Sequence, residues 1–165
     1  MSAAARLGYL ALALAMLASP SAVCAGDLPE PVVRAVMAQA EELLLRTGVD
    51  VEGYASTAAP RAETVSRSHV MLFGNDGAFV SGHIYLNEDA ISDCQELNLL
   101  HEVVHDATMK FRLFRTVSNA QVREMIEALA DQVTAMAAEN PYRPRCVTQR
   151  HFDISGAELA SLATR

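Results

Sequence analysis

The sequence predicts an α+β domain in which a small β-hairpin or sheet packs on a helical core and an antiparallel pair of helices carries the chemistry. Three observations predict it. Apolar residues recur at helical spacing in three stretches, each opened by a capping signature. Two β-prone runs flank the turn-forming tetrapeptide GNDG at 74–77. Hydrophobic residues make up 51% of the 165 positions and charged residues 20%, enough apolar material for one core.

Residues 1–25 read as a secretory leader: Arg6, an apolar run of about a dozen residues, then Pro20 and small residues up to a cut after Ala25. A lipid anchor on Cys24 is the rival, but SAVC lacks the leucine such a site expects and sets Val23 beside the cysteine. An uncleaved anchor is the other rival, and the apolar run is short for spanning a bilayer. The mature chain, 26–165, is therefore expected as one secreted or periplasmic domain without stable membrane insertion.

The first helix of that domain, about 29 to 47, follows from Asp27 as a cap, Pro29 and Glu30 in the first turn, and the stripe Val32, Val33, Val36, Leu43, Leu44. Residues 53–64, rich in Ala, Thr and Ser, read as a loop. The runs SHVMLF and AFVSGHIYLN around GNDG read as a hairpin. Capping boxes at SDCQ, 92–95, and SNAQ, 118–121, open helices at about 93 to 114 and 119 to 138, with Leu97, Leu100, Val104 and then Val122, Ile126, Leu129, Val133 as their apolar stripes. SGAE at 155–158 opens a short last helix.

With Cys24 lost to the leader, Cys94 and Cys146 remain as an even pair in an oxidising compartment, and a disulfide is expected between them. Cys94 opens one helix and Cys146 follows the end of its antiparallel neighbour, so the bridge would clamp the two at one end. The formal charge of −7 and a single lysine, Lys110, argue against a nucleic-acid partner, which needs clustered cations.

The helix at 93–114 contains HEVVH, 101–105, inside an apolar run. His101 and His105 are one helical turn apart on one face, close enough to bind one metal ion, and Glu102 stands beside the first ring. Zinc peptidases use this arrangement: imidazoles hold Zn²⁺, the metal lowers the pKa of water, and the glutamate takes the proton as the water attacks a carbonyl. A shuffled chain of this composition would contain the motif about 0.009 times, so chance is a poor explanation.

Two histidines leave a third ligand to find. Thr108 and Phe111 stand where a glycine and a third ligand would continue HExxHxxGxx(H/D), so those patterns fail. Counting from the expected turn, His105 lies as far before it as Glu127 lies after it, and His101 is level with Asp131, a partner suited to fixing that ring's tautomer. Glu127 is the leading candidate ligand; Glu124, Asp131 and His151 are the alternatives.

HEVVH followed by EALAD at 127–131 resembles the HExxH plus ExxxD pattern of gluzincin metallopeptidases. Carried over position by position, the resemblance implies His101, His105 and Glu127 as zinc ligands, Glu102 as general base, and Asp131 as support for a ligand histidine, in a minimal zincin-like domain. Over about 82 to 132 the chain is also similar to small secreted bacterial HExxH proteins of unknown function.

The expected activity is that of a secreted zinc-dependent hydrolase acting on a peptide or protein substrate. A metal-binding envelope protein with a catalytically idle site, acting as an interaction module, is the alternative, and a structural domain without metal the third reading. Tyr142, His151, Tyr85 and His83 are candidates to donate to the developing oxyanion, and GHIYLN is a candidate edge strand for an extended substrate.

Overall fold

The computed structural model describes residues 26–90, 92–115 and 118–138. Among them the chain is α+β, with three α-helices and a four-stranded mixed sheet. The helices are α1 (Glu30–Arg46), α2 (Ser92–Lys110) and α3 (Asn119–Ala137). The strands are β1 (Gly26–Asp27), β2 (Arg61–Val65), β3 (Gly77–Val80) and β4 (His83–Asn87), in the order β1-β2-β4-β3. The β2–β4 pair is parallel and the other two are antiparallel. Among the described strands β1 and β3 are at the edges, and β4, expected at the edge, lies between β2 and β3.

Strand alternation divides the sheet's residues. Ala62, Ile84 and Leu86 point into the core, where they meet Val33, Met37, Leu44, Leu100, Val104, Leu129 and Val133 from the three helices. On the opposite face His83 and Tyr85 stack at 4.4 Å, His69 stacks on Tyr85 at 5.4 Å, and His83 Nε2 lies 2.9 Å from Glu63 Oε1. No helix among the described residues is long and apolar enough to cross a membrane.

Four local expectations are corrected. The hairpin turn is Ser81-Gly82, inside AFVSGHIYLN, and both residues have positive φ (52° and 83°), as a two-residue turn matching strand twist requires. The run SHVMLF is a 3₁₀ turn, Val70–Leu72, entered where the His69 ring accepts the Met71 N–H and left through Phe73 at φ 50°, with Val70 and Phe73 exposed. Residues 61–64, expected in a loop, belong to β2 because Ala62, Thr64 and the adjoining Val65 are covered, a long-range effect that local composition does not carry. Asp27 does not cap α1: it lies in β1 with its carboxylate 2.9 Å from the Arg61 guanidinium, and Pro29 leads into the helix.

α2 ends at Lys110 rather than near 114. The Leu113 N–H bonds to the Thr108 carbonyl and the Arg112 N–H to that of Met109, with Arg112 at φ 51°. This is the reversal that usually ends on glycine, here made by an arginine and hence invisible as a stop signal. α1 ends the same way with its glycine in place, Gly48 at φ 87° and Val49 bonded back to Leu44. Gln95 likewise departs from its capping-box role, donating to the Asn87 and Glu88 carbonyls and tying α2 to the end of β4.

Candidate metal centre

α2 and α3 pack antiparallel, and their register is read from the side chains between them. His101 Nδ1 lies 3.3 Å from Asp131 Oδ1, His101 Nε2 lies 3.3 Å from Glu127 Oε2, and His105 Nε2 lies 3.8 Å from the same oxygen. The two rings sit 4.9 Å apart, tilted by 52°. One donor atom from each of His101, His105 and Glu127 lies within 4.8 Å of the others, so this cluster can hold a metal ion.

Two of the three donor spacings, 3.3 and 3.8 Å, are near those around a small tetrahedral cation. Ligand distances of 2.0–2.1 Å place neighbouring donors about 3.3 Å apart, close to the spacings from Glu127 to both rings. His101 also has its second nitrogen engaged: an Nδ1–H donating to Asp131 leaves Nε2 as the lone-pair side facing the cluster, the arrangement that orients a metal-binding imidazole. Glu124, an alternative ligand, is exposed one turn away from this level.

Glu102 is buried, and burial pushes its carboxyl up to about 7, the Glu127 charge adding to that while His101 and the backbone N–H of Phe79 favour the ionised form. Phe79 belongs to β3, so the edge strand and the HExxH helix meet at this carboxyl group. Gly77, on the same face of β3, makes the approach possible: a Cβ there would lie 2.8 Å from Glu102 Oε1. Burial opposes a charge on His101, but Glu127, Glu102 and Asp131 together raise it, whereas burial and the charge of His101 push His105 down.

A second polar group anchors the helix from behind. The buried Tyr54 hydroxyl donates to Asp106 Oδ2 at 2.8 Å, and Lys110 Nζ donates to the same oxygen at 2.7 Å and to the Ala58 carbonyl at 2.5 Å. Asp106 is 3% exposed and ties the turn holding His105 to the segment before β2.

The structure therefore brings together His101, Glu102, His105, Glu127 and Asp131. It does not bring His83 or Tyr85, whose side chains lie on the far face of the sheet. Tyr142, Cys146 and His151 lie outside the described residues. Cys94, in the first turn of α2, is disulfide-bonded. Sequence reasoning missed Gly77, Phe79 and Tyr54; the GNDG glycine was legible only as a turn former, and the others carry no local signal. No family model, curated protein or solved structure matches the chain.

Proposed function

We propose that the chain is an exported zinc-dependent hydrolase, a metallopeptidase of gluzincin-like design, in which His101, His105 and Glu127 hold Zn²⁺. The observation that carries this reading is the meeting of two imidazoles and a carboxylate from the neighbouring helix at tetrahedral spacing, with a buried glutamate beside them. Bound zinc supplies the positive charge that lets water ionise near neutral pH and polarises the scissile carbonyl. Two imidazoles and a carboxylate suit zinc, as does an exported location.

Glu102 takes the proton from the attacking water and passes it to the leaving amine nitrogen. Burial holds this carboxyl up in the metal-free chain, and a cation bound beside it would favour the ionised form that accepts the proton. Asp131 holds the His101 ring in one tautomer. β3, an edge strand among the described residues, would support an extended peptide next to Glu102, and a bridge from Cys94 to Cys146 would clamp the helix pair.

Replacing Glu102 with Gln tests the reading. Hydrolysis of a quenched-fluorescence peptide library falls by about 10²–10⁴-fold while zinc per chain stays unchanged. Turnover that survives the substitution would overturn it, and loss of zinc would place Glu102 among the ligands instead.

A further inference from the structure

β3 meets Glu102 at two residues, and the hairpin geometry explains both. The two-residue turn at Ser81-Gly82 makes Val80 and His83 a hydrogen-bonded pair, and at the other end of the strand the Asn87 N–H bonds to the Asp76 carbonyl at 2.9 Å. Alternation between those two points directs the N–H and C=O of Ala78 at β4 and turns those of Gly77 and Phe79 away from it. Among the described residues no strand takes the Phe79 N–H; the Glu102 carboxyl group accepts it instead. Gly77 lies on the same strand face as Phe79. A Cβ there would stand 2.8 Å from Glu102 Oε1, 3.2 Å from its Cγ and 3.4 Å from its Cδ. The φ of Gly77 is not positive, so its backbone conformation is open to any residue, and what the position excludes is a side chain against Glu102. The carboxyl group, 7% exposed, is thus held by a donor at one residue of β3 and given room by the missing Cβ at another.

Resting on the hydrolase reading, we propose that Gly77 and Phe79 are positioning residues for Glu102, so that a side chain at 77 leaves the metal in place and slows turnover. The three residues of the candidate cluster come from α2 and α3, and β3 contributes none, so metal binding and the placing of the base are separable. A base acts only within hydrogen-bond reach of the proton it takes, and a displacement of about 1 Å costs up to about 100-fold in rate. The carboxyl is the far end of a flexible side chain, so it, rather than the strand, yields to an added methyl group.

The test has two readouts, both on the full chain. In the metal-free protein, amide hydrogen exchange at Phe79 is followed by NMR in the wild type, Glu102→Ala and Gly77→Ala. Phe79 exchanges roughly 10- to 100-fold faster in both variants, the range for losing a hydrogen bond to a charged group, while Ala78, bonded to β4, keeps its rate. In the zinc-loaded protein, Gly77→Ala lowers kcat on the quenched-fluorescence peptides by roughly 10- to 100-fold with KM and zinc per chain unchanged. Added to Glu102→Gln, the same substitution costs nothing further, because the group it displaces is already idle. Exchange at Phe79 that ignores Glu102→Ala overturns the proposal, as does a folded Gly77→Ala chain that keeps its kcat or loses as much again in the Glu102→Gln background. Should Gly77→Ala not fold, exchange in Glu102→Ala decides alone. A wild type that hydrolyses the library no faster than Gly77→Ala sinks only the positioning role; a wild type that hydrolyses nothing sinks the hydrolase reading and this role with it.

Discussion

His101, Glu102 and His105 sit together, yet the environment moves their proton affinities in different directions, and this fixes how the metal-free chain responds to pH. Glu102 is raised to about 7 from 4.5, so its contribution to stability is present below 4.5 and is lost as pH rises through about 7. His101 is raised from 6.5, so its contribution is present below 6.5 and is lost above it. His105 is lowered, so its contribution is complete above 6.5 and is lost as pH falls. Across the window that opens at about pH 6.5 only the losses remain, and the thermal midpoint of the metal-free chain falls as pH rises through it. Zinc competes with protons for the same nitrogens and carboxylate, so with zinc present the midpoint rises across it. Melting curves with chelator and with equimolar zinc read both slopes; the same sign in both would contradict a shared metal site. At this scale the two rings, Glu127 and Asp131 were legible in the sequence, because helical periodicity and an equal count on either side of a turn need no tertiary knowledge. Gly77 and Phe79 were not, since their meeting with Glu102 depends on how β3 docks on α2.

The elements that hold the site divide along the same line. All three described helices were legible from apolar stripes, and two of them, α1 and α3, nearly to their ends. α2 stops four residues early because an arginine adopts the left-handed conformation that a glycine would have announced. That conformation costs a non-glycine residue about 1 kcal/mol, partly offset by the greater freedom glycine has in the unfolded chain. Arg112→Gly therefore raises stability by about 0.5 kcal/mol, read as a higher midpoint in chemical denaturation; a loss of stability would mean that the arginine side chain contributes more than the backbone strain removes. The hairpin was legible as a signal but assigned to the wrong glycine-containing turn, since GNDG and SG both tolerate positive φ and only strand pairing chooses between them. β2 was hidden because its cover comes from β4 and β1, partners distant in sequence.

Taken whole, the molecule sets a helix pair against a small mixed sheet and keeps the sheet's edge strand beside the helix that bears HExxH. The core is continuous from α1 through β4 to α3, so the register between α2 and α3, on which the candidate site depends, is fixed by Leu100, Val104, Leu129 and Val133 rather than by the polar groups themselves. This is why an α+β class could be read from composition and periodicity, whereas the strand order could not. The most direct measurement is the metal content of the full chain expressed with export to an oxidising compartment, purified without added metal and analysed by mass spectrometry. One zinc ion per folded chain, lost on His105→Ala and on Glu127→Ala while the fold persists, is the predicted result. A folded wild-type chain that carries no stoichiometric metal and takes up none when zinc is supplied would contradict it.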